Sequence, residues 1–222
     1  MLFKDRKTLL LFILWGFFVT NAMVAEMIGV KLIDLGASFK PNIFIMSVGI
    51  LPWPIVFLAT DIINEFYGKE VVQKLSITTA CLIAYAFLVI YCAIQIPSYT
   101  GAGIQNDVFI KVFGQSMWII VGSITAFLTA QMIDVLVFWA LKNKTGGKMI
   151  WLRTTGSTAV SQIVDTFVVL GIAFWLPGKM TTEQYIHAAL TGYLVKLIIA
   201  ILLTPLIYLG HSMVKTYLKI SH

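Results

Sequence analysis

An all-α integral membrane protein of six transmembrane helices is the fold class this sequence predicts, and three observations predict it. Of the 222 residues, 59% are hydrophobic and only 12% charged, against about 25% charged in a soluble domain, and the mean hydropathy is +0.91. The apolar residues form six long runs. These outlast the roughly ten-residue alternating strands of a membrane barrel and suit helices, which satisfy their own backbone groups in lipid. The basic residues, finally, gather in alternate loops.

The whole chain, 1–222, reads as one six-helix membrane domain with spans at 8–28, 43–65, 71–96, 116–141, 157–176 and 185–209. The first follows "KDRK" like a signal sequence but lacks a small-residue cleavage pattern, so it is expected to be retained. The second contains Pro52 and Pro54, which predict a kinked or unwound outer half. The third carries Cys81 and Cys92, expected as buried free thiols rather than a disulfide or zinc site. On the fourth, Gly122, Ser123, Ala126 and Ala130 recur at helical spacing and mark a close helix contact, within one chain or between the protomers of a homodimer. Pro97, Gly101 and Gly103, then "TGGK", then Pro177-Gly178 punctuate the loops. Trp53, Trp139 and Trp175 stand near span ends, where belt aromatics belong.

Orientation follows from charge. Lys4, Arg6, Lys7, Lys69, Lys74, Lys142, Lys144, Lys148, Arg153, Lys215 and Lys219 fall on one side of this arrangement, and only Lys31, Lys40, Lys111 and Lys179 on the other. Eleven against four predicts that both termini are cytoplasmic. The net charge of +6 is thereby explained by topology, without a nucleic-acid partner; the partner in sight is the lipid bilayer.

Ionisable groups inside the spans carry the functional information, since each costs about 2.5–3.5 kcal/mol at a helix centre. The fourth span holds Gln131 and Asp134, the fifth Gln162 and Asp165; in both, amide and carboxylate share one helical face. Asp61 and Asn64 repeat the spacing in reverse order, and Lys196 lies inside the sixth span. At about 1.5 Å per residue, Asp134 and Asp165 stand roughly 10 to 13 Å from the cytoplasmic ends and Lys196 about 15 Å from the outer end. Four helices are therefore expected to aim polar groups at one layer, left acidic with one cation among three acids. The plainer account is interhelical glue, worth about 0.6 kcal/mol per contact, and it serves single glutamines well. For Glu65 the favoured role is interfacial, capping the "YGKE" junction.

Enzyme chemistry is not indicated. The chain has no phosphate-binding G-x-x-x-x-G-K-[ST], no H-E-x-x-H and no G-x-S-x-G. His187, His211 and His222 do not cluster in sequence, and nothing calls for a cofactor or metal.

Three segments, "FLATDIINEFYGK", "VFGQSMWIIVGSITAFLTAQMIDVLVFW" and "RTTGSTAVSQIVDTFVVLGIAFW", in this order and spacing, resemble the queuosine precursor transporter family, also called the vitamin uptake transporter family. The likeness runs from "TNAMVAEMIGVKLIDLG" to "GYLVKLIIAI". It implies an inner-membrane importer of 7-deazaguanines, queuine or its cyano and aminomethyl precursors, with a fold similar to the substrate-binding subunits of energy-coupling-factor vitamin transporters. Matched by position, the family's polar residues are Asn21, Asp61, Glu65, Gln131, Asp134, Ser157, Gln162, Asp165, Tyr193 and Lys196; Glu26 departs from the pattern.

Ligand chemistry agrees with that resemblance. A deazaguanine offers N1–H and an exocyclic amine to a carboxylate, and O6 with a pyrrole N–H to a carboxamide. Asp134 or Asp165 suits the first role, Gln131 and Gln162 the second, and Phe57, Phe138, Trp139 or Phe167 could stack on the ring. An aminomethyl cation would suit an acidic layer. Asp61 is expected either to line the cytoplasmic exit or to anchor the second helix to the "YGKE" turn. Facilitated, proton-coupled and ATP-driven mechanisms stay open, the last as a subunit of a larger complex. So does a non-transporting membrane subunit whose acids are glue.

Overall fold

The computed structural model describes residues 5–34, 45–146 and 148–219, so Lys4, Lys40 and His222 lie outside the described residues. In chain order the elements are helix α1 (Arg6–Ile28), strands β1 (Leu32–Asp34) and β2 (Ile45–Ser47), and helices α2 (Trp53–Tyr67), α3 (Lys69–Ile94), α4 (Asn106–Phe113), α5 (Met117–Lys144), α6 (Ile150–Leu170) and α7 (Thr182–Leu218). Among the described residues, six helical segments are long and apolar enough to cross a membrane, α4 being continuous in that count with α5.

The start of α1 and the end of α7 meet: Arg6 donates to the Tyr217 carbonyl at 3.4 Å. Tyr67, the last residue of α2, joins them by donating its hydroxyl to the Lys7 carbonyl at 2.6 Å. We call this the terminal end of the bundle, and the other the far end. Gly68 then turns α2 directly into α3 with φ of 89°, a conformation that favours glycine.

At the far end the second span is unwound, as its prolines predict. Residues 45–47 pair antiparallel with 32–34, Ile33 opposite Met46, and a short 3₁₀ turn (Val48–Ile50) leads to Pro52 and α2. Gly49 permits this: a Cβ there would stand 2.6 Å from the Ala25 carbonyl oxygen of α1. The hairpin and the eight-residue α4 are additions to the six expected spans. Pairing partners distant in sequence, and a helix of two turns, leave little periodicity to read.

Two other boundaries differ. α6 begins at Ile150 rather than 157, because the polar run Arg153–Ser157 is helical, with Arg153, Thr154 and Ser157 buried. α7 has 37 residues, about 55 Å, and extends past 209 toward the C-terminus despite Pro205. A proline inside a helix removes one backbone bond; beside it, the Thr204 hydroxyl meets that of Thr155 on α6 at 2.9 Å.

Helices α5 and α6 pack along their lengths, with α7 against α6, α3 against α5, and α1 and α7 against α2. An apolar cluster of Phe18, Ala22, Val56, Ile83, Phe87 and Phe127 ties α1, α2, α3 and α5. Lipid is as apolar as such a cluster, so close packing and interhelical hydrogen bonds hold the helices together. The small-residue face of α5 meets its neighbour within the chain: a Cβ on Gly122 would lie 3.2 Å from the Ala173 backbone nitrogen. There α6 ends in a π-helical turn, Gly171–Trp175, and Tyr185 donates to the Phe167 carbonyl at 3.0 Å. The outer surface carries large exposed apolar side chains such as Leu88, Ile96, Met117 and Leu202, as a bilayer requires. Cys81 and Cys92 are free but exposed, not buried; eleven residues is close to three helical turns, so both fall on that outer face.

Candidate functional site

The buried polar side chains form a seam between α2, α5, α6 and α7, in two tiers rather than one layer. The tier nearer the terminal end is the larger. Thr60, Asp61, Asn64, Gln131, Asp134, Arg153, Ser157, Ser161 and Gln162 are all buried in it. Each helix contributes at i, i+3 or i+4 spacing, which turns one polar face inward.

Its contacts cross helices. Gln131 donates from Nε2 to Thr60 Oγ1 at 3.2 Å, joining α5 to α2. The Ser161 hydroxyl reaches Asp134 Oδ1 at 3.2 Å, joining α6 to α5. Trp139 donates its indole N–H to Asn64 Oδ1 at 2.7 Å. That tryptophan is therefore a bundle residue and not a belt aromatic. Trp175 remains exposed at the far end, donating to Thr182.

Glu65 is the ionic centre of this tier and does not cap the "YGKE" junction. Arg153 Nη2 stands 3.0 Å from its Oε1, Lys142 Nζ 3.1 Å from its Oε2, and His211 Nε2 3.8 Å from Oε1. Three helices thus converge on one carboxylate of α2. Arg153 is only 2% exposed, and its guanidinium lies 5.9 Å from the centre of the Phe138 ring. Lys142 lies 4.8 Å from that of Trp139. Both cations counted by charge as loop residues, yet they belong to the site, so the expected excess of acids over a single cation is corrected here. For Arg153 alone the sequence held a spacing signal: Arg153, Ser157 and Ser161 recur every four residues, on one face of a helix.

The second tier lies toward the far end. Asp165 stands four residues beyond Ser161, about 6 Å along α6, so it does not share a level with Asp134. Lys196 Nζ meets Asp165 Oδ2 at 2.6 Å and Thr166 Oγ1 at 3.3 Å. Glu26 of α1 accepts from the Ser123 hydroxyl of α5 at 2.5 Å and is near enough to Asp165 for their charges to interact. Tyr193 is half-buried on α7, one turn from Lys196.

The remaining candidates are not brought in. Asn21 donates to the Phe17 carbonyl of its own helix at 2.8 Å. Phe57 stacks on Trp53 with ring centres 5.8 Å apart, in apolar packing, and Phe167 lies edge-on to Tyr185 near the far end. Of the four aromatics, only Phe138 and Trp139 border the large tier.

A family described as "Putative vitamin uptake transporter" matches residues 47–210, a stretch that contains α2 to most of α7 and every polar residue of the seam except Glu26 and His211. The chain belongs to that family. It is a multi-pass membrane protein of a transporter family, not an enzyme. Among curated proteins it is similar to a "Probable queuosine precursor transporter" of Bacillus subtilis, 28% identical over 76% of this chain and 72% of that one. A protein of the same name in Haemophilus influenzae is 28% identical over 79% of this chain and 72% of its own length. The "Queuosine precursor transporter" of Escherichia coli is 29% identical over 69% and 66%. No solved structure gives a significant match.

Proposed function

We propose that this chain imports 7-deazaguanine precursors of queuosine across the inner, cytoplasmic membrane, with both termini on the cytoplasmic side. The observation that carries the reading is the terminal-side tier: buried carboxylates and carboxamides from three helices, in a chain whose relatives bear the name of queuosine precursor transporters. Stacking and edge hydrogen bonds are what a flat, polar heterocycle needs, and Phe138, Trp139, Gln131 and Gln162 offer them. Sites near the middle of the bilayer between helices that can rock apart are the usual arrangement in carriers.

The test is queuosine in tRNA from cells unable to make or import the precursors, supplied with queuine, the 7-cyano or the 7-aminomethyl compound at low concentration. Expression of this chain is expected to restore the nucleoside with at least one of them. No restoration by any, with the protein demonstrated in the membrane, would overturn the reading and turn attention to a vitamin, as the family's description suggests.

A further inference from the structure

Within the terminal-side tier most of the acids are engaged. Glu65 holds Arg153 and Lys142, and Ser161 reaches Asp134. In the other tier, Lys196 holds Asp165. Asp61 differs: both of its carboxylate oxygens are buried without a hydrogen-bond partner, and so is the amide nitrogen of Asn64. Asp61 is 3% exposed and Asn64 0%. A polar group removed from water without a partner is costly, and a carboxylate far more so. Such a group calls for a partner that the protein itself does not supply, a ligand, an ion or an ordered water.

Their arrangement is specific. Asp61 and Asn64 are three residues apart on α2 and share its buried face, with Cβ atoms about 5–6 Å apart at that spacing. Trp139 fixes the amide by engaging Asn64 Oδ1, which leaves Nδ2 as the unspent donor. One turn of helix therefore presents two acceptors beside one donor. Asp134 of α5, Glu65 of its own helix and Arg153 of α6 are near enough for their charges to act on Asp61.

We infer that Asp61 and Asn64 read the hydrogen-bonding edge of the substrate: Asp61 accepts from two adjacent N–H groups of a lactam-amidine ring, and Asn64 Nδ2 donates to the neighbouring ring carbonyl. For a 7-deazaguanine these are the 2-amino group, N1–H and O6, in that order along one edge. The assignment rests on the proposed function for its ligand, and it moves edge recognition from Asp134 or Asp165, both already partnered, to Asp61. The side chains are packed closed around the pair, so the ligand reaches it as α2, α5 and α6 part. The Glu65 cluster, one turn nearer the terminal end, covers that side until they do.

The test uses the purified full chain in proteoliposomes and two probes, 7-cyano-7-deazaguanine and its analogue without the 2-amino group. Wild type is expected to prefer the first by about ten- to hundredfold, the worth of a hydrogen bond to a charged group. Asp61→Asn should bring that ratio close to one, Asp61→Glu should keep part of it, and Asp134→Asn should leave it intact. Asn64→Leu should keep the 2-amino preference and lose preference for a probe carrying O6 over its 6-deoxo counterpart. If wild type takes up neither probe, nor queuine or the 7-aminomethyl compound, the proposed function fails. If it takes up both probes equally, the edge assignment fails while the function stands, and this arm needs no variant to fold. Discrimination retained by Asp61→Asn, or lost instead in Asp134→Asn, also overturns the assignment.

Discussion

The two polar tiers use the same residue types to different ends. Q-x-x-D occurs on α5 and on α6, yet Asp134 sits 4% exposed among hydroxyls and amides, whereas Asp165 is spent on a lysine and its side chain is 18% exposed. The terminal-side tier is buried except at its Glu65–Lys142 edge, joins four helices and leaves hydrogen-bonding capacity unspent at Asp61 and Asn64. The far tier is a pair of short contacts, Lys196–Asp165 and Ser123–Glu26. Ionisable residues in a membrane are thus not equivalent evidence for a binding site. What separates a site from a fastening is whether the groups are already satisfied by the protein.

Arg153 gives the largest test of that contrast. Arg153→Met strips Glu65 of its most buried cation, and breaking a buried ion pair costs about 3–5 kcal/mol. Lys142 remains beside Glu65 at 3.1 Å, so the lower end of the range is expected, read as a fall in the unfolding midpoint in detergent. Glu65→Leu combined with Arg153→Met should recover part of the loss, because neither member of that pair is then left alone, while Lys142, its side chain 22% exposed, loses its partner. A neutral result for Arg153→Met would mean that the terminal-side tier is as loosely held as a surface pair.

How far this division was legible in the sequence depends on what each feature needs. Six spans and the unwound start of the second follow from local composition and from Pro52 and Pro54, and the structure agrees. The face shared by Gln131 and Asp134 follows from helical spacing alone. The split into tiers does not, because it depends on how far α6 slides along α5, which no periodicity encodes. Charge counting places Arg153 and Lys142 in the loops, since it assigns every cation near a span end to water, and nothing in the sequence sets His211 beside them. Their place in the site comes from convergence of α5, α6 and α7 on Glu65, a tertiary fact. Asp61 was visible as an intramembrane acid, but its lack of partners could be seen only once every neighbour had a position.

In the far tier, Lys196→Met is the corresponding single change. It leaves Asp165 alone at membrane depth, at a cost of about 2.5–3.5 kcal/mol on insertion scales; the Thr166 hydroxyl, which accepts from Lys196 at 3.3 Å, already donates to the Gln162 carbonyl at 2.8 Å. Lys196→Met with Asp165→Leu should be close to neutral in unfolding midpoint. It should also keep the preference for the 2-amino probe if edge recognition belongs to the other tier. A double variant that is stable but loses that preference would erase the distinction between the tiers.

Asp5 supplies the smallest effect and the aqueous reference for both. It precedes α1, and its carboxylate accepts from the Thr8 hydroxyl at 2.8 Å and from the Thr8 and Lys7 backbone N–H groups at 3.1 and 3.2 Å. Capping of this kind satisfies donors that a helix start leaves open. The Thr8 hydroxyl first, then the Lys7 and Thr8 amides, hold the Asp5 carboxyl below the usual range. A group whose pKa is lowered on folding contributes stability above its unfolded pKa and loses it as the pH falls through the folded one. Hydrogen exchange at the Lys7 and Thr8 amides should therefore be faster in Asp5→Ala than in wild type at pH 7, with the difference closing below about pH 4. Water can replace every contact this aspartate makes, so global unfolding should barely move. An Asp5→Ala variant that unfolded as readily as Arg153→Met would show that local capping, and not the loss of water, sets the cost of an unpartnered charge in this bundle.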